Sequence, residues 1–209
     1  MSFSIDEAGR ARLTELCAAF TRLPPPAEAQ GLKHAAVALV VVDGVNKNDP
    51  SLLLTRRSAR LRKHAAQWAL PGGRCDKGET IVEAALRELD EEVGLRIAPS
   101  DTLAVLDDYP TRSGYVVTPV VVWGGRIKEF SPNPDEVQSV HRIPMTQLSD
   151  DSRVEFLSIP ESDRPVIRLR IWDSTIHAPT AAFLYQFREL VAGRVTRVAN
   201  LEQPVFAWR

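Results

Sequence analysis

The sequence is poor in whatever staples, anchors or polarises a chain. Cysteine occurs only at Cys17 and Cys75. That is too few for a disulfide framework, and the spacing is not that of a zinc site, so both are expected to be reduced thiols. Neither sign of charge dominates: 26 Lys and Arg stand against 27 Asp and Glu, a formal net charge of -1. No global field therefore draws the chain to nucleic acid or to an anionic membrane. No run approaches the roughly 20 apolar residues of a membrane span. The opening MSFSIDEAGRAR has no apolar signal core, and a cytoplasmic protein is the expectation. Internal repeats and low-complexity tracts are missing too. What is present is 44% hydrophobic and 25% charged residues over 209 positions, enough for one domain with appendages.

Residues 5–23 place Leu13, Leu16, Cys17, Phe20 and Leu23 at helical spacing, and Pro24-Pro25-Pro26 is expected to end that helix. We divide the chain into an N-terminal helix with a proline-rich linker (1–26) and a main domain (27–209). The helix is either packed on the domain or a contact in a homodimer. AAVALVVV (35–42) and LLLT (52–55) are apolar runs of strand length, separated by turn residues. Further strands are expected at 103–108, 115–123 and 137–143. Pro179 opens and Gly193 closes a last helix, the favoured asymmetry. Strands and helices mix without regular alternation, so the expected class is α+β with a mixed sheet between helices.

One segment breaks the even distribution of charge. Glu88, Asp90, Glu91 and Glu92 crowd into five positions after a loop holding Gly72, Gly73 and Gly78. Thr80 and Glu83 have capping-box spacing. Val82, Ala85, Leu86, Leu89 and Val93 form an apolar stripe, and Gly94 suits a left-handed helix end. With Leu89 at zero and about 100° per residue, Glu92, Glu88 and Glu91 fall at roughly -60°, -100° and -160°, whereas Asp90 lies at roughly +100°. Three carboxylates thus share an arc. Hard oxygen ligands on a rigid helix suit Mg²⁺ or Mn²⁺. The bland reading, a solvated acidic face, does not explain the glycine-rich loop or Arg87.

Gly73, five residues, Glu79, seven residues, then Arg87-Glu88-Leu89-Asp90-Glu91-Glu92-Val93-Gly94-Leu95 resembles a complete Nudix box of 23 residues. The resemblance to Nudix hydrolases implies an α/β/α sandwich and metal-dependent cleavage of a nucleoside diphosphate linked to another moiety. By position it implies Glu88, Glu91 and Glu92 as metal ligands, with the Gly72 carbonyl completing the shell and Glu88 also a candidate base. Arg87 would orient a carboxylate through its planar fork, and Glu79 would support it from behind. Glu136, in a loop before a strand, stands where many such enzymes carry a further ligand or base. The alternative for Glu136 is a surface turn acid.

Upstream, LLTRRSARLRKHAAQWALPGG (53–73) resembles the LLTxRSxxLxxHxGxxxFPGG signature of the coenzyme A pyrophosphatase branch. Ala66 stands where the branch has Gly, and Leu70 where it has Phe. The resemblance implies coenzyme A or its thioesters as substrate, with Arg57 and His64 at signature positions. The basic run Arg56, Arg57, Arg60, Arg62, Lys63 is either a reader of an extra phosphate or a solvated stretch balancing the acidic helix. DSTIHAPTAA after Arg170–Trp172 departs from the branch and bears on the pocket. ADP-ribose or another nucleoside diphosphate derivative is the competing substrate class, and a catalytically silent nucleotide-sensing module is the competing non-enzyme. Trp68 could stack on adenine or fill the core. His141 and His177 are read as histidines satisfied within the fold.

Overall fold

A computed structural model describes residues 3–46, 49–60 and 66–208. In chain order its helices are α1 (Glu7–Ala18), α2 (Ile81–Val93), α3 (Met145–Leu148) and α4 (Thr180–Val191). Its strands are β1 (Lys33–Asp43), β2 (Pro50–Arg57), β3 (Trp68–Ala69), β4 (Gly72–Arg74), β5 (Thr102–Val105), β6 (Tyr109–Pro110) and β7 (Tyr115–Gly125). They continue with β8 (Val137–Pro144), β9 (Val154–Ile159), β10 (Ser162–Ile171) and β11 (Ser174–His177).

The two long apolar runs form the centre of a mixed sheet. β1 and β7 pair in parallel from Lys33 opposite Tyr115 onward. β1 and β2 pair antiparallel only over Val41–Asp43 and Pro50–Leu52. Beyond that they splay, and a short hairpin fills the gap: β4 lies along Ala35–Val37 of β1, and β3 along Thr55 and Arg56 of β2. The hairpin delivers the glycine-rich loop to the middle of the sheet rather than to its edge. β8 covers the outer edge of β2, and β5 and β6 follow β7.

Alternation along β1 separates two apolar layers. Ala36, Ala38, Val40 and Val42 pack with Ala84, Ala85, Leu89 and Val93 of α2. Leu39 and Val41 face the other way, toward Leu13 and Cys17 of α1 and Phe183 and Phe187 of α4. A sheet covered on both faces needs continuous apolar strands, which is why 35–42 does not alternate with polar residues. The class is the expected α+β with a mixed sheet between helices.

Three features differ from the sequence reading. α1 ends at Ala18, well before the proline triplet, because the next segment is held elsewhere: Asp107 accepts the Leu23 N–H at 2.9 Å and Asp108 takes Arg22 at 2.6 Å. The strand expected over 103–108 stops at Val105, since Asp107 and Asp108 turn inward to bind Gln186, Arg197 and Thr118. A second sheet, β9–β10–β11, lies where the sequence pattern predicts no strands. Its core residues Ile167, Leu169, Ile171 and Ile176 are diluted by arginines, aspartates and Pro165, which blurs the period.

Candidate active site

The acidic helix is fixed at both ends. Thr80 Oγ accepts from the Glu83 N–H while the Glu83 carboxylate accepts from the Thr80 N–H, the reciprocal box expected from the spacing. Gly94 closes α2 with φ 69°. A side chain there would meet Ser131 Cβ at 2.7 Å, because the loop after β7 lies across the helix end. Ser131 and Asn133 donate backbone N–H groups to the carbonyls of Val93 and Glu92, at 2.9 and 3.0 Å. These bonds satisfy two of the carbonyls a helix leaves orphaned. They also set Glu136, whose own carbonyl accepts from Ser58 at 2.8 Å, beside the carboxylates of α2.

Glu92 is the most enclosed acid of the group, 2% exposed. Its carboxylate accepts from the Gly72 N–H at 3.2 Å and meets Arg57 Nη1 at 3.5 Å. Burial pushes its pKa up to about 7; the Gly72 N–H and Arg57 oppose the rise, and the neighbouring Glu88 and Glu136 add to it. Burial also raises Glu88, against the pull of Arg87. The cradle for Glu88 is Gly73: a Cβ there would lie 2.3 Å from the Glu88 Oε1. Only glycine lets the hairpin run this close to the carboxylate.

Arg87 organises the rest. Its Nε and Nη2 hold both oxygens of Glu79, at 2.8 and 3.1 Å. Nη1 reaches Glu88 and Glu91, each at 2.9 Å, and Nη2 also bonds the Arg74 carbonyl at 3.0 Å. Hydrogen bonding to Glu79 is the largest cause of the upward shift of Arg87, and the same contact lowers Glu79. The Glu79 carboxylate also receives the Asp76 N–H at 2.8 Å. This planar fork ties loop, helix and strand hairpin into one frame.

The structure separates the four acids. Glu88 and Glu92 lie together, with Glu136 close enough to raise both. Glu91 is the exposed one and turns toward Arg87. Asp90 lies on the opposite flank, as the helical angles required, and pairs with Arg96 at 2.8 Å. Among the described residues, no three Asp, Glu, His or Cys side chains are already gathered around one point. The donors nonetheless fit a hard divalent cation. They are carboxylate oxygens, two of them desolvated and mutually repelling, beside a glycine backbone that leaves room. Arg57 is drawn to Glu92 rather than standing apart. His64, Leu61, Arg62 and Lys63 lie outside the described residues.

A cleft of roughly 360 Å³ opens from Gly72 and Gly73, lined by Arg57, Trp68, Tyr115 and Gln203 among others. Beyond Trp68 it continues into a recess of roughly 310 Å³ bordered by Arg56, His177 and Phe206. Trp68 is half-buried between Arg56, 5.0 Å above its ring, and His141, 4.7 Å away edge-on. It is thus both core and cleft wall. His141 bonds Ser139 Oγ at 2.7 Å, and burial lowers its pKa, as it lowers that of His177. The far wall is formed by Thr180, Gln203 and Ala207, which belong to no motif in the sequence. Its only signal was the unfamiliar tail after Trp172.

The chain matches the family model described as NUDIX domain over residues 32–168. It is similar to an "Uncharacterized Nudix hydrolase NudL" of Pectobacterium atrosepticum, 36% identical over 179 residues, covering 83% of this chain and 91% of that one. A protein of the same description from Escherichia coli is 38% identical over 148 residues, covering 70% and 77%. Among solved structures, a NUDIX hydrolase from Alicyclobacillus acidocaldarius superposes with a TM-score of 0.52 over 77% of this chain and 91% of its own, at 19% identity. That last likeness is one of fold.

Proposed function

This chain belongs to the Nudix family, and from that premise we propose that it is a metal-dependent diphosphatase of coenzyme A or its thioesters. Water adds across the P–O–P bridge, giving 3′,5′-ADP and 4′-phosphopantetheine or its acylated form, with release of a proton.

The observation that carries the substrate reading is the backbone at Ala66. The branch signature has Gly at this position, and Ala66 keeps the left-handed conformation that glycine favours, with φ 55°. The residue departs from the signature, while its backbone is one that glycine adopts without strain. At the other departing position, Leu70 is buried in the core at 4% exposure, so Leu for Phe is a packing change.

Glu88 and Glu92 are the leading candidates to hold Mg²⁺ or Mn²⁺, with Glu91 joining once it leaves Arg87 and the Gly72 carbonyl as a further donor. The chemistry the ion supplies when bound is neutralisation of the diphosphate and activation of a water. Arg87 fixes Glu88 in place, and Glu79 fixes Arg87. Glu136 and Glu88 are the candidates to take the proton from the attacking water. Arg57 balances the charge of Glu92. The cleft past Gly73 receives one organic arm of the substrate, with Trp68 and Tyr115 along it.

A second reading, hydrolysis of ADP-ribose or another nucleoside diphosphate derivative, is favoured by the unfamiliar tail, whose residues wall that cleft. Turnover of coenzyme A and of ADP-ribose by the purified protein with Mg²⁺ or Mn²⁺, products separated by chromatography, decides between them. Release of 3′,5′-ADP with little AMP from ADP-ribose is expected. AMP from ADP-ribose with coenzyme A untouched would replace the first reading by the second.

A further inference from the structure

On the other side of Glu88 from the aromatic cleft lies a larger one, of roughly 820 Å³. Its rim carries Lys33 and His34 at the start of β1 and Arg74 at the end of β4. The antiparallel ladder sets them together: Ala35 is opposite Arg74, and the Cys75 N–H bonds the His34 carbonyl at 3.0 Å. All three side chains are exposed. Among the described residues, Lys33 and Arg74 have no ion pair. Glu79 and Glu88 line the same cleft and are both engaged by Arg87, which leaves Asp76 as the further acid of its lining. The N-cap Thr80 and the first residue of α2, Ile81, border the cleft, and the positive end of a helix favours an anion there. Arg74 also borders the aromatic cleft, so the two open on either side of the same glycine hairpin.

A diphosphate at Glu88 and Gly73 has an arm to each side. The aromatic cleft suits an extended, partly apolar arm. The opposite cleft offers cations without a carboxylate partner. We propose that Lys33, His34 and Arg74 bind a phosphate monoester carried on the nucleoside arm of the substrate, and so select for a ribose phosphate beyond the diphosphate. This deepens the coenzyme A reading and rests on it. At the end of β2, Arg57 is engaged by Glu92 and Arg56 lies over Trp68, so these two cations of the basic run already have partners.

The test separates the cleft from the reaction. Binding of 3′,5′-ADP and of AMP, which lacks the 3′-phosphate, is measured by calorimetry on the full chain and on a Lys33→Gln, Arg74→Gln double variant. Both substitutions fall on exposed side chains, and an unchanged thermal melt checks the fold. The wild type is expected to prefer 3′,5′-ADP by about tenfold or more, as charge-assisted contacts to a phosphate would give, and the double variant to lose that preference. In turnover, the variant should lose kcat/KM on coenzyme A by a similar factor and keep it on dephospho-coenzyme A. Equal affinity for the two nucleotides in the wild type, or a preference that survives in the variant, overturns the assignment. If coenzyme A is not hydrolysed at all, the reading of the reaction fails, and the nucleotide comparison still decides the cleft.

Discussion

Ala66 holds a backbone angle that costs an L-residue roughly 1–2 kcal/mol, and the hydrogen bonds at the end of β2 hold it there. Its N–H reaches the Arg57 carbonyl at 3.2 Å, and the Arg57 N–H reaches Gln67 at 2.9 Å. Glycine would relieve the strain but lose more freedom on folding. Ala66→Gly is therefore expected to stabilise by up to about 1 kcal/mol, raising the thermal midpoint by about 2–4 °C, with turnover retained. A lower midpoint would mean the turn is not strained. Glu92 poses the opposite case, a carboxylate buried at the proposed metal site. Its folded pKa of about 7 lies above the ordinary 4.5. The contribution of Glu92 to the metal-free fold is thus fully present below pH about 4.5, and up to roughly 3 kcal/mol of it is lost as pH rises through about 7. Glu92→Gln removes that loss. The stripped variant should melt higher than stripped wild type at pH 8 and about equally at pH 4.5. Its turnover should fall by orders of magnitude. Turnover that persists would remove Glu92 from the metal site; a wild type with nucleotide binding but no turnover would favour the sensing module.

At the scale of elements, α2 was legible almost completely, because everything defining it is local. Thr80, Glu83 and Gly94 are read from spacing, and the angles put Asp90 on its own flank. The angles could not tell that Glu91 turns to Arg87, since that depends on side-chain torsions. Nor could they tell that Glu92 is the enclosed acid, since the hairpin covering it comes from β3 and β4. Ala84 is buried although it was outside the expected stripe, because the helix lies flat on Ala36, Ala38 and Val40. The strands over 35–42 and 52–55 were legible as apolar runs, whereas α1 and β5 ended early for the sake of Asp107 and Asp108, residues remote from α1 in sequence. The contact between hairpin and helix gives a further test. A methyl at position 73 meets the end of a flexible glutamate rather than backbone. Gly73→Ala is therefore expected to displace Glu88 and cut kcat by about 10²-fold, while the thermal midpoint changes little. A large loss of stability with full specific activity in the folded fraction would mean that the close approach serves packing only.

Over the whole molecule, the aromatic cleft depends on the last part of the chain being strapped to the second sheet. The strap is electrostatic. Glu202 is buried at 2% exposure and bridges to β10 beside Val166, with its N–H on the Pro165 carbonyl at 2.8 Å. Its carboxylate takes Arg112 at 2.5 Å, Arg164 at 3.0 Å and Ser162 at 3.0 Å. The next residues, Gln203 and Ala207, wall the cleft. Burial alone would raise the Glu202 pKa; the bond from Arg112, the Gln203 N–H and the other donors outweigh it and bring it down to about 2, from an ordinary 4.5. A depressed acid contributes its stability above the unfolded value and loses it as pH falls toward the folded one. The strap is thus worth up to roughly 3 kcal/mol at neutral pH, declining from pH about 4.5 to about 2. Glu202→Gln should therefore destabilise in urea at pH 7 by about 2–3 kcal/mol, and the gap to wild type should narrow steadily toward pH 3. Loosening of the strap should also raise KM more than it lowers kcat, because the wall it carries lines the cleft proposed for the organic arm and supplies none of the proposed metal ligands. A gap as wide at pH 3 as at pH 7 would mean that shape and backbone pairing, not the charge of Glu202, hold the wall of the cleft.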